Sequence, residues 1–92
     1  MINEQVRKLK QSSICELAER ACLAWAERNF NDHHFYCAKL IGMKSAFVGV
    51  DCQLVNDVRD SLDRVDEFCA SGAKDFHAWA VGQACNVLKV AA

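Results

Sequence analysis

The chain contains no proline, and its only glycines are Gly42, Gly49, Gly72 and Gly82. A sheet must reverse direction every few residues, and reversals draw on Gly, Pro, Asn and Asp clusters. A chain this poor in Gly and Pro has few places for a sheet to turn. Its apolar residues recur every three or four positions, not every two, which is the period of an α-helix with one buried face. At 92 residues it fits one domain, spanning 1–92, with a modest core. The expectation is an all-α fold, a compact antiparallel bundle of about four helices.

The first helix is expected from Ser13 to Asn29. Ser13 and Glu16 have capping-box spacing ahead of an apolar run, which leaves residues 1–12 as a frayed or exposed N-terminal extension. Asn3 offers an alternative cap, for a longer helix beginning near Glu4. Either start puts Ile14, Leu17, Ala18, Ala21, Ala24 and Trp25 on one face. The second helix is expected to start at His33, with Asp32 as its cap. Tyr36, Leu40, Met43, Phe47 and Val50 form its stripe, and Cys37, Ile41 and Val48 widen it. Only Lys39 and Lys44 are charged in that stretch, so this helix is expected at the centre of the fold. The third helix presents Val55, Val58, Leu62, Val65 and Cys69 and ends at Gly72, which suits a left-handed C-terminal cap. The fourth runs from Lys74 to Val90, with Phe76, Ala80, Val81, Ala84, Val87 and Leu88 on its apolar face. Short links between helices favour antiparallel neighbours.

The formal net charge is −1, without the basic stripe a nucleic-acid binder carries. The polar start MINEQVRKLKQSS lacks the apolar segment of a secretory signal. No uncharged run approaches the length of a membrane span. These features point to a cytoplasmic protein with no nucleic-acid or membrane partner, in a compartment that keeps thiols reduced. None of the six cysteines stands in a C-x-x-C pair, so they are read as small apolar residues in or beside the core. There is no nucleophile elbow around Ser45, Ser61 or Ser71 and no phosphate-cradling glycine loop. No enzymatic activity and no cofactor are expected.

His33, His34 and Cys37 form the sharpest constellation. Their spacing of three and four brings imidazole and thiol to one side of a helix, where a soft divalent metal could bridge them. The alternative is two polar histidines at a helix start. His77 is expected at the edge of the core. Ala38, Gly42, Ser45, Ala46 and Gly49 make a strip of small residues that admits a close neighbour, inside the bundle or across a dimer interface. Trp79 and Leu23 fall away from the main apolar stripes, and tryptophan is favoured at interface hot spots. Asp60, Asp63 and Glu67, with Asp57, line an acidic strip that could orient a basic partner or simply be solvated. These features suggest a non-enzymatic protein–protein interaction module of adaptor, inhibitor or antidote type. It would use Trp79, Leu23, Asp60, Asp63 and Glu67 and act as a homodimer. The alternative function is a small-ligand or metal-binding helical bundle built on His33, His34 and Cys37.

Overall fold

The structure is a computed structural model and describes residues 3–82. Its three long helices are α1 (Glu4–Ala26), α2 (Phe30–Phe47) and α3 (Cys52–Ser71). A further helical stretch covers 76–82. The fold is all-α, and α1, α2 and α3 each pack against the other two. The expected apolar positions Ala84, Val87 and Leu88, together with Cys85, lie outside the described residues.

Of the two possible starts for the first helix, the chain takes the earlier one. The Asn3 side chain accepts from the Val6 N–H at 2.9 Å and caps α1. Ser13 lies inside the helix, where its hydroxyl donates to the Leu9 carbonyl. The capping-box reading at Ser13 is therefore corrected. Residues 4–12 are not an extension, because α3 ties them down. The Arg7 guanidinium reaches Asp51 at 2.9 Å, and Gln11 donates to Asp57 at 2.9 Å. Both bonds join the early turns of α1 to the early turns of α3, so these two helices run parallel, and α2 returns between them. The start of α2 moves as well. Asn29, not Asp32, accepts from a first-turn N–H, that of Asp32 itself.

The core takes Ile14, Ala18, Ala21 and Cys22 from α1, Leu40 and Phe47 from α2, and Leu54, Val58, Val65 and Phe68 from α3. The small side chains on α1 let the other two helices approach closely. The expected central position of α2 is corrected. Its stripe does face inward at Leu40 and Phe47, with Tyr36 and Met43 packed beside them. Ile41 and Val48, however, are 52% and 64% exposed. A helix in a three-helix arrangement buries one face, so its second apolar side has no neighbour among the described residues.

Two connections set the geometry. Arg28 closes α1 in the left-handed conformation, at φ 62°. Its N–H donates to the Trp25 carbonyl and the Asn29 N–H to the Ala24 carbonyl at 2.8 Å, a helix-ending pattern in which glycine is the usual residue. An arginine there costs about 1 kcal/mol. Gly72, at φ 74°, ends α3 without that strain, as the sequence predicts.

Asp51 holds the second connection. It is buried, caps α3 by accepting from the Gln53 and Leu54 N–H groups, and receives Arg7 from α1. Burial alone pushes its carboxyl up. The Arg7 hydrogen bond, the two backbone N–H groups and the Arg7 charge outweigh that, and the pKa lies below its ordinary 3.8. A depressed carboxylate adds stability that is complete above its unfolded value and drains away as pH falls through the folded one. The melting temperature should therefore fall as pH drops below about 4. Asp51→Asn should flatten that acid limb, and thermal melts between pH 6 and pH 2 would check it.

Candidate interaction surface

His33, Leu40 and Phe47 follow one another at every seventh position and form the inward side of α2. Phe35, Ala38, Gly42 and Ser45 follow steps of three and four on the opposite side, and all four are exposed. Phe35 is 54% exposed, with the Lys39 ammonium 4.9 Å from its ring centroid. Ile41 and Val48 border the strip. A Cβ added at Gly42 would meet no atom of the described residues within 4 Å. The close neighbour expected at Gly42 is thus not found among the described residues. The result is an apolar helix face with a notch at Gly42 and one exposed charge, Lys39, at its edge.

The other expected site residues are placed differently. Trp79 is half-buried, not directed away from the core. Its ring meets Phe68 edge-on at 5.5 Å and Phe76 at 6.1 Å, because Phe76 and Trp79, three apart, share the inward side of 76–82. Val81, expected on that inward face, is 63% exposed. Leu23 is half-buried. Asp60, Asp63 and Glu67 are exposed along α3. Asp60 also borders a groove of about 410 Å³ between α1 and α3, with Cys15, Asp57 and Arg64. His77, expected at the core edge, is largely exposed, and its Nε2 lies 3.3 Å from Glu19.

Among the histidines, His33 is the residue the sequence reading undervalued. It is buried, and its Nδ1 lies 2.8 Å from the Ala21 carbonyl. A carbonyl can only accept, so Nδ1 carries a proton, and in the neutral ring Nε2 presents a lone pair. That lone pair faces the Cys37 thiol at 3.7 Å, which donates to it. His34 is exposed and meets the His33 ring edge-on. His33 and Cys37 are brought together, but His34 is not added as a third ligand. Among the described residues no three His, Cys, Asp or Glu side chains converge to hold a metal.

Three thiols, one from each long helix, are raised above the ordinary range, and Cys37 contributes to the shift of the other two. Burial, then Cys69 and Cys37, push the Cys22 thiol up to about 12. Burial, then Cys37 and Asp66, push Cys69 to about 11. Burial, then Asp66, also raises Cys37. At neutral pH all three stay protonated and pack as small apolar groups. Cys15 and Cys52 are exposed. Among the five described cysteines, iodoacetamide at pH 8 should therefore label Cys15 and Cys52 first. Cys22 should be blocked until the chain unfolds, and peptide mass mapping over time would show the order. Early labelling of Cys22 would contradict the packing described here.

No described helix is long and apolar enough to cross a membrane. No known protein family, curated protein or solved structure matches the chain. The exposed face of α2 is the feature on which a functional reading can be built.

Proposed function

We propose that the chain is a cytosolic, non-enzymatic interaction module of adaptor, inhibitor or antidote type, and that it self-associates through the outer face of α2. The observation that carries this reading is the run Phe35, Ala38, Gly42 and Ser45, exposed along one side of a helix and bordered by Ile41 and Val48. Apolar surface concentrated on one element favours a protein partner over solvent. Small residues let a second helix come close, and large ones fill the space beside it. A second copy suits the pattern. A two-fold axis midway between Phe35 and Gly42 seats each ring in the notch at the partner's Gly42. Lys39 lies at the edge, where its long stem can carry the charge to water.

In this reading the anchor passes from Trp79, whose ring packs on the core, to Phe35 and Ile41. Asp60, Asp63 and Glu67 stay free on α3 to steer a basic third partner. The ligand or metal alternative has less support, since only His33 and Cys37 of its three residues are in contact.

Sedimentation equilibrium on the full chain tests the proposal. The expected mass is that of a dimer, lowered to a monomer by Ile41→Glu with unchanged helicity. A wild-type monomer at every concentration, or a dimer that Ile41→Glu leaves intact, would overturn it.

A further inference from the structure

A cavity of about 290 Å³ opens where α1 ends, α2 begins and α3 ends. Trp25 and Phe30 form one wall, their rings 5.2 Å apart and edge-on. Gly72 and Ala73 also line the cavity, together with Arg28 and Lys74. Among its described lining residues there are two cations and no acid, in a chain whose net charge is −1. Aromatic walls with a few convergent polar groups are the usual make-up of a small-ligand site.

Arg28 gives a second, independent indication. It occupies the left-handed position that closes α1, although glycine would fit there without strain. A non-glycine residue held in that conformation beside a cavity motivates the hypothesis that its side chain is kept for use. Arg28 lines the cavity together with Trp25 and Phe30. Lys74, just beyond the end of α3, lines the same cavity.

We infer that this cavity binds a small planar aromatic anion, its ring against Trp25 and Phe30 and its carboxylate or other acidic group between Arg28 and Lys74. A guanidinium and an ammonium donating to one anionic group form charge-assisted hydrogen bonds, which are stronger than neutral ones. The aromatic walls add an edge-to-face or offset contact that a plain inorganic anion cannot make. The site lies apart from the outer face of α2 and does not depend on self-association.

The test uses 1-naphthoate as probe and neutral 1-naphthylmethanol as its control. Each is titrated into the full chain by calorimetry and by amide and indole NMR shifts. Naphthoate should bind about tenfold tighter than the alcohol, with shifts at Gly72, Ala73 and the Trp25 indole. Arg28→Gly keeps the helix ending and relieves its strain. It should be at least as stable as the natural chain, yet lose naphthoate affinity about tenfold or more. Lys74→Gln should weaken binding in the same direction. Four results would overturn the inference. They are equal affinity for acid and alcohol, shifts that map elsewhere, an Arg28→Gly variant that binds as well as the natural chain, and a fall in melting temperature for that variant. The last would mean that Arg28 serves to offset the carbonyl ends of α1 and α3 and carries no strain held for a ligand.

Discussion

Replacing Phe68 with alanine should remove about 3–5 kcal/mol of stability. Phe68 is fully buried on α3, so its loss leaves a cavity that the backbone cannot fill. It also holds the only ring contacts described between α3 and 76–82, to Phe76 at 5.7 Å and to Trp79 at 5.5 Å. The substitution therefore takes out a core side chain and the platform for the last described segment together. A domain of this size holds roughly 5–14 kcal/mol in total, so the loss is a large share of it. The melting temperature should fall by more than about 12 °C. Urea unfolding followed by circular dichroism and by tryptophan fluorescence would check this. Fluorescence, which reports Trp25 and Trp79 together, should change no later than the loss of helicity, and the Trp25→Phe background would isolate Trp79. Phe68→Leu, which keeps most of the volume, should cost less than about 2 kcal/mol. A Phe68→Ala variant melting within a few degrees of the natural chain would mean that the core is organised around some other residue.

The second large effect should appear in association and not in folding. Ile41 is half-exposed in the single chain, so Ile41→Glu should change its stability by no more than about 0.5 kcal/mol. In the proposed dimer the same change acts twice, once on each side of the two-fold axis. Each carboxylate would lose water without gaining a partner. Stranding a charge in this way costs about 3–5 kcal/mol where the site is fully buried. Dissociation constants should rise by at least about a hundredfold, which is close to 3 kcal/mol. The concentration dependence of the melting temperature should also disappear. Phe35→Ala should give a smaller rise, because it removes a ring without burying a charge. Loss of helicity in Ile41→Glu would show that Ile41 serves the fold, and the interface reading would then lose its anchor.

Much of the helical framework could be read from the sequence. The three-and-four periodicity of α3 gave Val58 and Val65 as buried, and Gly72 ends that helix as its position suggests. The helix starts were harder, because a capping residue acts through backbone geometry that its spacing only permits. Ser13 and Glu16 have the right separation for a cap, yet the chain is already helical before them, and Asn3 does the capping. The burial of α2 was misjudged for a different reason. Apolar content says that a surface is better covered, not that the same chain covers it, and Ile41 and Val48 are left open. Trp79 shows the reverse error. The positions four before and four after it, Asp75 and Gln83, are polar, but Phe68, eleven positions away, supplies its packing. His33 is expected at the first position of α2, but the helix begins at Phe30 and His33 falls in its first turn. Its burial depends on the Ala21 carbonyl from the preceding helix, and no pattern within α2 announces that. The cavity around Arg28 could not be foreseen at all, since it forms from the ends of three helices.

The parallel run of α1 and α3 bears on the order in which the chain can assemble. Arg7 meets a partner 44 residues on, and Gln11 one 46 residues on. An up-and-down helical hairpin matures through contacts between adjacent elements, but this pair cannot meet until α2 has formed and turned the chain back. Each long loop must be closed before its contacts repay the lost chain entropy. For a helical domain, that raises the sequence separation of its contacts and slows its folding relative to a simple hairpin. During synthesis, the first turns of α1 leave the ribosome well before Asp51 exists to hold them. Their bonds to Asp51 and Asp57 form only when α3 docks, so the first turns of α1 gain their side-chain ties late.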